Sequence, residues 1–301
     1  MPAAAIIINR LRVRDPARFR RTCQAAARAS GWAVEFFETT RSDHGLGLAR
    51  QAVAAGARLV VAAGGDGTVR SCAHALAGQT GLASTGSAST VPLAIVPLGT
   101  ANLAARALGL PRRLDQVLAV AFRGRDRRID LAEADGMPYA AMAGIGLDAA
   151  VVGATPRLLK ERFGWLGYAA AGAAQLPGRR HEFTVRLDGG PPLTRRARSV
   201  AVGNAGLLPG GFALLPGARL DDGLLDVGIL APAGPLGWGR VAYRIITGGG
   251  HDDARLERFQ ARRVEIRAAA DLPREVDGEM IAAGRTLIIG VRPAALLVRS
   301  P

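Results

Sequence analysis

The alternation of short apolar runs with longer helical patterns in the first third of the chain is the feature that most limits its fold. Four apolar runs have the length of a strand, at residues 4–9, 32–37, 58–63 and 92–96. Between them, apolar residues recur at helical spacing over residues 16–30, 46–55 and 68–77. Alternation of this kind predicts an α/β domain in which a parallel sheet carries helices on both faces. Residues 78–90, rich in Gly, Ser and Thr, are long for a connection between a helix and a strand and predict a mobile insertion.

The pattern changes after Arg128, where strand-like runs dominate. They lie at residues 127–132, 139–143, 183–187, 198–204, 225–230, 264–268, 274–276 and 286–291. Helical patterns interrupt them at residues 154–176 and 236–247. A strand-rich segment after an alternating one predicts two domains, an α/β domain at residues 1–128 and a β-rich, sandwich-like domain at residues 129–291, with a ligand cleft between them.

Composition excludes several classes of protein. Hydrophobic residues make up 49% and charged residues 21% of the 301 residues, which is typical of a chain that buries a large core and not of a disordered or collagen-like chain. The two cysteines cannot form a disulfide framework, and no Cys or His spacing matches a zinc site. The start has no charged leader with a cleavage site, and no stretch reaches about 18 apolar residues. We therefore expect a soluble, cytoplasmic protein that touches a membrane only at its surface.

The charge of the chain is strongly basic. Thirty-nine Lys and Arg against 25 Asp and Glu give a net charge of +14, and nearly all the basic residues are arginines. One interpretation is compositional bias, because the arginines are spread along the chain. The other is an affinity for phosphate or an anionic membrane surface, since a guanidinium binds such groups through two hydrogen bonds. Aromatic residues make up only 5%, too few for a base-stacking platform, so nucleic acid is not an expected partner. The oligomeric state is left open, a homodimer included.

A Gly-Gly-Asp-Gly-Thr segment at residues 64–68 directly follows the third predicted strand and leads into a helix. Glycines let the backbone approach a ligand closely, and the N-terminus of the helix offers N–H groups that suit phosphate. The segment is neither a Walker A loop nor a Rossmann Gly-x-Gly-x-x-Gly loop. Because a carboxylate repels phosphate, Asp66 fits such a loop if it holds Mg²⁺ through water or orients a hydroxyl group. An ordinary strand-to-helix turn with Asp66 as its cap is the alternative.

A second segment, Pro-Leu-Gly-Thr-Ala-Asn at residues 97–102, follows the fourth predicted strand in the same way. In open α/β sheets, ligands bind outside the carboxyl ends of the strands. Two glycine-containing turns after successive strands therefore predict one shared ligand-binding edge.

These two segments resemble those of the diacylglycerol kinase catalytic family, in particular its soluble bacterial lipid kinases. The likeness continues in the family's order through residues 144–148, 159–168, 202–205, 209–212, 216–226 and 276–279. The resemblance implies a Mg²⁺-dependent kinase that moves the γ-phosphoryl group of ATP to a lipid hydroxyl. The first domain would bind the nucleotide and the second the lipid, and residues 292–301 would return to the first domain.

The resemblance also implies roles for individual residues. The nucleotide would contact Thr39 or Thr40 and both glycine segments, at Gly64, Gly65, Asp66, Gly67, Thr68, Val69, Arg70, Thr100 and Asn102. Glu279 would accept the proton of the lipid hydroxyl, with Asp277 as its partner and Asp66 as a third acidic residue of the catalytic set. A structural Mg²⁺ would bind the carbonyl groups of Arg219 and Leu224 and the carboxylate of Asp222. From the residues alone, Asp277-Gly278 and residues 219–224 each indicate a hairpin turn.

Two departures from the family pattern leave alternatives open. Arg70-Ser71 stands where these lipid kinases usually have Asn-Glu, and Leu103 stands where an Asp often follows the second Asn. A catalytically silent module that binds nucleotide or a membrane is therefore one alternative. An NAD kinase is another, since it shares the Gly-Gly-Asp-Gly-Thr loop, but the chain lacks the Thr-Pro-x-Gly-Ser-Thr-Ala-Tyr segment of that family.

Overall fold

The computed structural model describes residues 1–78, 90–139, 141–146, 179–206, 214–233, 237 and 256–301. The chain divides into two compact units, one of residues 1–131 with 292–301 and one of residues 132–291. The insertion predicted at residues 78–90 and the helices predicted at residues 154–176 and 236–247 lie almost entirely outside the described residues.

The first unit is the predicted α/β domain. Its strands are β1 (Ala3–Ile8), β2 (Ala33–Glu38), β3 (Leu59–Gly64) and β4 (Leu93–Pro97). Its helices are α1 (Pro16–Arg28), α2 (Leu46–Ala54), α3 (Asp66–Leu76), α4 (Leu103–Ala107) and α5 (Leu114–Arg123), with one 3-10 turn at Arg10–Arg12. Helix α5 is not among the predicted helices, although its buried residues Val117, Leu118, Ala121 and Phe122 recur at helical spacing.

The sheet of the first unit is parallel, in the order β4-β3-β1-β2. Ile6 of β1 packs into a core cluster that contains Cys23 of α1 and Leu118 of α5. Its neighbour Ala5 points to the opposite face and packs with Ala52 of α2. Helices therefore cover both faces, as predicted, and this double burial explains why β1, β3 and β4 are almost continuously apolar, whereas β2 at the edge of the sheet carries Glu35 and Glu38.

The second unit is built mainly of antiparallel strands, as predicted for the β-rich domain. They are β6 (Met137–Tyr139), β7 (Met142–Ile145), β8 (His181–Leu187), β9 (Leu193–Ala197), β10 (Ser199–Gly203), β11 (Leu225–Leu230), β12 (Leu256–Ala261) and β13 (Arg263–Val276). Two more strands, β5 (Arg125–Ala134) and β14 (Glu279–Ser300), have residues in both units. The strand order is β12-β11-β10-β7-β13, and β13 also pairs with β8 and β14.

Two strand assignments made from the sequence are wrong. The apolar run at residues 139–143 is not one strand, because it spans the end of β6 and the start of β7. The runs at residues 264–268 and 274–276 are not separate strands, because both belong to β13. Its register against β14 shifts between Arg267 and Leu272, and such an irregularity hides the continuity of a strand in its side-chain pattern.

Residues 292–301 lie in the first unit, where the end of β14 runs parallel to β4 with Val298 opposite Leu93. Asp130 accepts a hydrogen bond from the backbone N–H of Ala294 at 2.7 Å, and the Arg299 guanidinium donates to the carbonyl of Gly124 at 2.6 Å. In the part of the chain that the structure describes, no helix has the length and apolar content needed to cross a membrane.

Candidate active site

The two glycine segments lie side by side at the carboxyl ends of neighbouring strands. Gly64 at the end of β3 pairs with Pro97 at the end of β4. A Cβ atom at Gly99 would lie only 2.7 Å from the Cα of Gly65, closer than atoms of this kind approach. Glycine at position 99 therefore lets the two loops touch and form one continuous backbone surface.

The Asp66 carboxylate joins the two loops. Its Oδ2 accepts a hydrogen bond from the backbone N–H of Asn102 at 2.9 Å, and its Oδ1 accepts one from Leu103 at 2.7 Å. These N–H groups belong to the first turn of α4, so Asp66 caps a helix that starts 37 residues further along the chain. Burial raises the pKa of Asp66, and the N–H groups of Leu103 and Asn102 oppose that rise because they stabilise the charged form.

Asn102 closes the second loop on itself. Its side-chain oxygen accepts from the backbone N–H of Gly99 at 2.8 Å, and its side-chain amide donates to the carbonyl of Gly99, also at 2.8 Å. Its backbone has φ 49° and ψ 50°, a left-handed conformation that asparagine tolerates better than most residues. Thr100 stays exposed within this closed loop.

The first turn of α3 separates residues that face inward from residues at the edge. Thr68 and Val69 are buried, and a Cβ atom at Gly64 would lie 2.5 Å from Oγ1 of Thr68. Gly65, Asp66, Gly67 and Arg70 are partly exposed. At this edge of the sheet, a ligand would therefore meet backbone groups and the positive end of the α3 dipole. Thr68 and Val69 instead pack beneath the loop in the interior.

Thr39 and Thr40 follow β2 at the same edge of the sheet. Because β1 lies between β2 and β3, they are about 10 Å from the end of β3 in the direction of the hydrogen bonds. The backbone N–H of Thr39 donates to the carbonyl of Ile8. Oγ1 of Thr40 accepts from the backbone N–H of Asp43 at 3.0 Å, so this side chain shapes the turn that leads into α2.

In the second unit, Asp277 and Gly278 form the predicted hairpin turn between β13 and β14, both with positive φ. Asp277 is buried, and its Oδ1 accepts from the backbone N–H groups of Ala141 at 2.9 Å and Met142 at 3.2 Å. Glu279, by contrast, is exposed. The two carboxylates therefore differ sharply in setting, since one holds a neighbouring strand and the other reaches solvent.

Glu275 is a partly buried acidic residue outside the set of predicted site residues. Burial, and secondarily the charge of Asp277, raise its pKa to about 7. A Cβ atom at Gly144 would lie 3.7 Å from its Oε1, so the absence of a side chain at position 144 makes room for this carboxyl group. Only its spacing of two residues from Asp277 on the same strand face could have pointed to it.

The turn at residues 219–224 carries the predicted ligands of a structural Mg²⁺. Oδ1 of Asp222 accepts a hydrogen bond from the backbone N–H of Leu224 at 3.0 Å. Nε of Arg219 lies 3.9 Å from Oδ1 of Asp221. Among the described residues, no group of three or more His, Cys, Asp or Glu side chains is arranged to hold a metal. A site here would rest on backbone carbonyls and few carboxylates. Close to it, Asp226 is buried and its Oδ2 has no hydrogen-bond partner among the described residues, so an acceptor oxygen suited to a hard cation or to its bound water remains there.

Three segments that carried the family resemblance lie wholly or partly outside the described residues, at positions 147–148, 159–168 and 209–212. Every residue proposed for the nucleotide, for catalysis or for the metal lies among the described residues.

Sequence comparison divides the chain close to the boundary at residues 131 and 132, although the second profile also includes residues 292–300. The sequence profile of the diacylglycerol kinase catalytic domain matches residues 4–134, and that of the YegS C-terminal NAD kinase beta sandwich-like domain matches residues 141–300. A "Probable lipid kinase YegS-like" from Pseudomonas fluorescens is 34% identical over 283 residues, with 93% of this chain and 90% of that protein covered. One of the same name from Pseudomonas aeruginosa is 35% identical over 288 residues, with coverages of 93% and 89%.

Solved structures show the same fold. A diacylglycerol kinase from Bacillus anthracis str. Sterne has a TM-score of 0.80 at 20% identity, with 100% of this chain and 97% of that chain covered. An NAD kinase from Archaeoglobus fulgidus in complex with ATP has a TM-score of 0.53 at 13% identity, with coverages of 100% and 94%.

Proposed function

Because this chain belongs to the diacylglycerol kinase catalytic domain family, we propose that it is a lipid kinase that transfers the γ-phosphoryl group of ATP to the hydroxyl group of a lipid. The names of its Pseudomonas relatives, which are probable lipid kinases, support a lipid as the acceptor. The observation that carries the proposal is the link between Asp66 and the N–H groups of Asn102 and Leu103, because it joins both glycine loops into one backbone surface suited to phosphate.

The nucleotide phosphates would lie along that surface. The N-terminus of α3 and the backbone of Gly65 and Gly99 provide N–H groups and close approach, and Arg70 adds a guanidinium one turn into α3. Thr39, Thr40 and Thr100 belong to the same edge and complete the proposed nucleotide site. Mg²⁺ bound with ATP would neutralise charge on the transferring phosphoryl group.

Glu279 is the proposed general base. A lipid hydroxyl must lose its proton as it attacks phosphorus, and an exposed carboxylate can reach that proton. Asp277 is held by two backbone N–H groups, which suits a residue that fixes the hairpin and so positions Glu279 two residues later. We assign the base to Glu279 and the positioning to Asp277.

The two departures from the family pattern do not remove the link between the loops. Leu103 contributes its backbone N–H to Asp66, and this contact does not depend on the side chain at position 103. The Leu103 side chain itself is buried. The geometry around Asp66 therefore favours an active kinase over a catalytically silent module.

NAD phosphorylation is the other enzymatic alternative. The similarity to the NAD kinase of known structure is one of fold alone at 13% identity, whereas the named lipid kinases match over 93% of this chain. This difference in similarity favours a lipid acceptor. We also propose that the net charge of +14 brings the protein to an anionic membrane surface, where such a substrate resides.

The test is a transfer assay with [γ-³²P]ATP, Mg²⁺ and separate acceptors: diacylglycerol, phosphatidylglycerol, a sphingoid base, an isoprenoid alcohol and NAD. Label should enter at least one lipid, and Glu279→Gln should suppress that signal. Label in NAD alone would identify an NAD kinase. ATP binding by calorimetry without transfer to any acceptor would support the silent module.

A further inference from the structure

A carboxylate lies buried beside the 219–224 turn. Asp226 is the second residue of β11 and is only 8% exposed. A Cβ atom at Gly217 would lie 3.6 Å from its Oδ1, which places the carboxylate against the segment that leads into the turn. Asp226 also follows Leu224, the last residue of the turn, by only two positions.

The two oxygens of Asp226 differ in their contacts. Oδ1 accepts a hydrogen bond from the side-chain amide of Gln260 at 3.3 Å, and Gln260 stands opposite Asp226 on β12. Oδ2 is buried and has no hydrogen-bond partner among the described residues. A neutral amide cannot balance a carboxylate charge, and a buried unpaired oxygen is costly. The position therefore calls for a positive or proton-donating group beside Oδ2.

We propose that Asp226 is a positioning residue for a divalent cation at the 219–224 turn, where its Oδ2 accepts a hydrogen bond from water bound to the ion. Mg²⁺ retains several of its waters in protein sites, and carboxylates that orient such waters strengthen binding. This inference rests on the proposed cation site at Arg219, Asp222 and Leu224, and it is independent of the proposed phosphoryl transfer.

The cation itself is the probe. Mn²⁺ is titrated into the full-length, nucleotide-free protein at pH 8, and free Mn²⁺ is followed by electron paramagnetic resonance, with Mg²⁺ as competitor. Asp226→Asn should weaken Mn²⁺ binding by about 10- to 100-fold. Asp222→Asn should weaken it at least as much, because it removes a direct ligand. Asp271→Asn, a surface carboxylate paired with Arg285 at 3.5 Å, should bind like the wild type.

Thermal unfolding separates a cation-positioning role from a structural one. Asparagine keeps the contact with Gln260 and removes the buried charge. In EDTA, Asp226→Asn should therefore melt at or above the wild-type temperature, and its gain on adding Mg²⁺ should be smaller than that of the wild type. A merely structural Asp226 would lower the melting temperature equally with and without Mg²⁺.

Two results would overturn the inference. Wild-type affinity for Mn²⁺ in Asp226→Asn would reject the role of Asp226 and leave the turn as the cation site. Wild-type affinity in Asp222→Asn as well, or no binding by the wild type, would reject the cation site itself. Neither result bears on transfer of phosphate from ATP to a lipid, which the labelling assay decides separately.

Discussion

The Asp66 carboxylate and the backbone N–H of Leu103 are 2.7 Å apart, although 37 residues separate them in the chain. With the neighbouring bond from Asn102, this contact fastens the start of α4 to the start of α3. Beyond the pairing of Gly64 with Pro97, the Asp66 side chain thus fixes one glycine loop relative to the other, and its substitution should affect nucleotide binding before it affects the fold.

Asp66→Asn should lower kcat/KM for ATP by about 100-fold or more, because an asparagine oxygen can replace only one of the two acceptors and its amide would face a backbone donor. Steady-state kinetics and ATP calorimetry measure this loss. Asp188→Asn is the control, since Oδ1 of Asp188 alone accepts from two consecutive N–H groups, those of Arg262 and Arg263, and an asparagine oxygen can keep both bonds. It should leave the kinetics and the ATP affinity unchanged. Wild-type kinetics in a folded Asp66→Asn protein would contradict the assignment.

Glu279→Gln should lower the rate of phosphoryl transfer by about 10²–10⁴-fold with little change in ATP affinity, because a general base acts on the chemical step. Single-turnover transfer and calorimetric ATP titration measure the two quantities. Asp277→Asn should be milder, because asparagine keeps an acceptor for Ala141 and Met142 and tolerates the positive φ. A dead Asp277→Asn beside a fully active Glu279→Gln would exchange the two roles.

Stability should fall as the pH rises from about 4.5 to about 7 because of Glu275, whose pKa burial raises from 4.5 to about 7 in the folded protein. A raised carboxyl pKa means that the folded state holds the proton more tightly. The stability that Glu275 contributes is therefore complete below its pKa in the unfolded chain. This stability is lost as the pH rises to its pKa in the folded protein. The loss amounts to at most about 3 kcal/mol.

Glu275→Gln should remove this dependence and make the protein more stable than the wild type at pH 8. Urea unfolding at pH 5, 6, 7 and 8 provides the comparison. Glu265→Gln, which alters an exposed pair with Arg263, should leave the pH profile unchanged. A wild-type slope in Glu275→Gln would assign the pH dependence to other groups.

The basic charge should drive adsorption to anionic vesicles, since each Arg near such a surface contributes about 1 kcal/mol. Cosedimentation should rise with the fraction of phosphatidylglycerol and fall with added salt, because salt screens charges over about 10 Å at 0.1 M. Equal binding to vesicles of neutral phosphatidylcholine would mean that the arginine content is compositional bias.

The first unit could be predicted from the sequence because its signals are local. The apolar runs that became β1 to β4 are bounded by polar or glycine residues, and the Asp277-Gly278 pair is itself a hairpin signal. The division of residues 139–143 between two strands could not be predicted in this way, because backbone pairing and not residue type decides where a strand ends.

The candidate site was only partly predictable for a related reason. The sequence marks Asp66 as a carboxylate in a phosphate loop, but its partners are backbone N–H groups that every residue except proline possesses. The elevated pKa of Glu275 and the unpaired oxygen of Asp226 arise from burial in a unit assembled from distant strands. Such properties belong to the folded protein and not to any stretch of its sequence.

The placement of residues 292–301 has a consequence for synthesis on the ribosome. These residues supply a partner for β4 and contacts for Asp130 and Gly124, yet they emerge after all of the second unit has been translated. The β4 edge of the sheet in the nascent first unit therefore stays unpaired while the ribosome adds about 160 residues, at roughly 5–20 residues per second. A chain cut after Val291 should keep that edge exposed permanently, so we expect it to collect in inclusion bodies even though it retains both glycine loops.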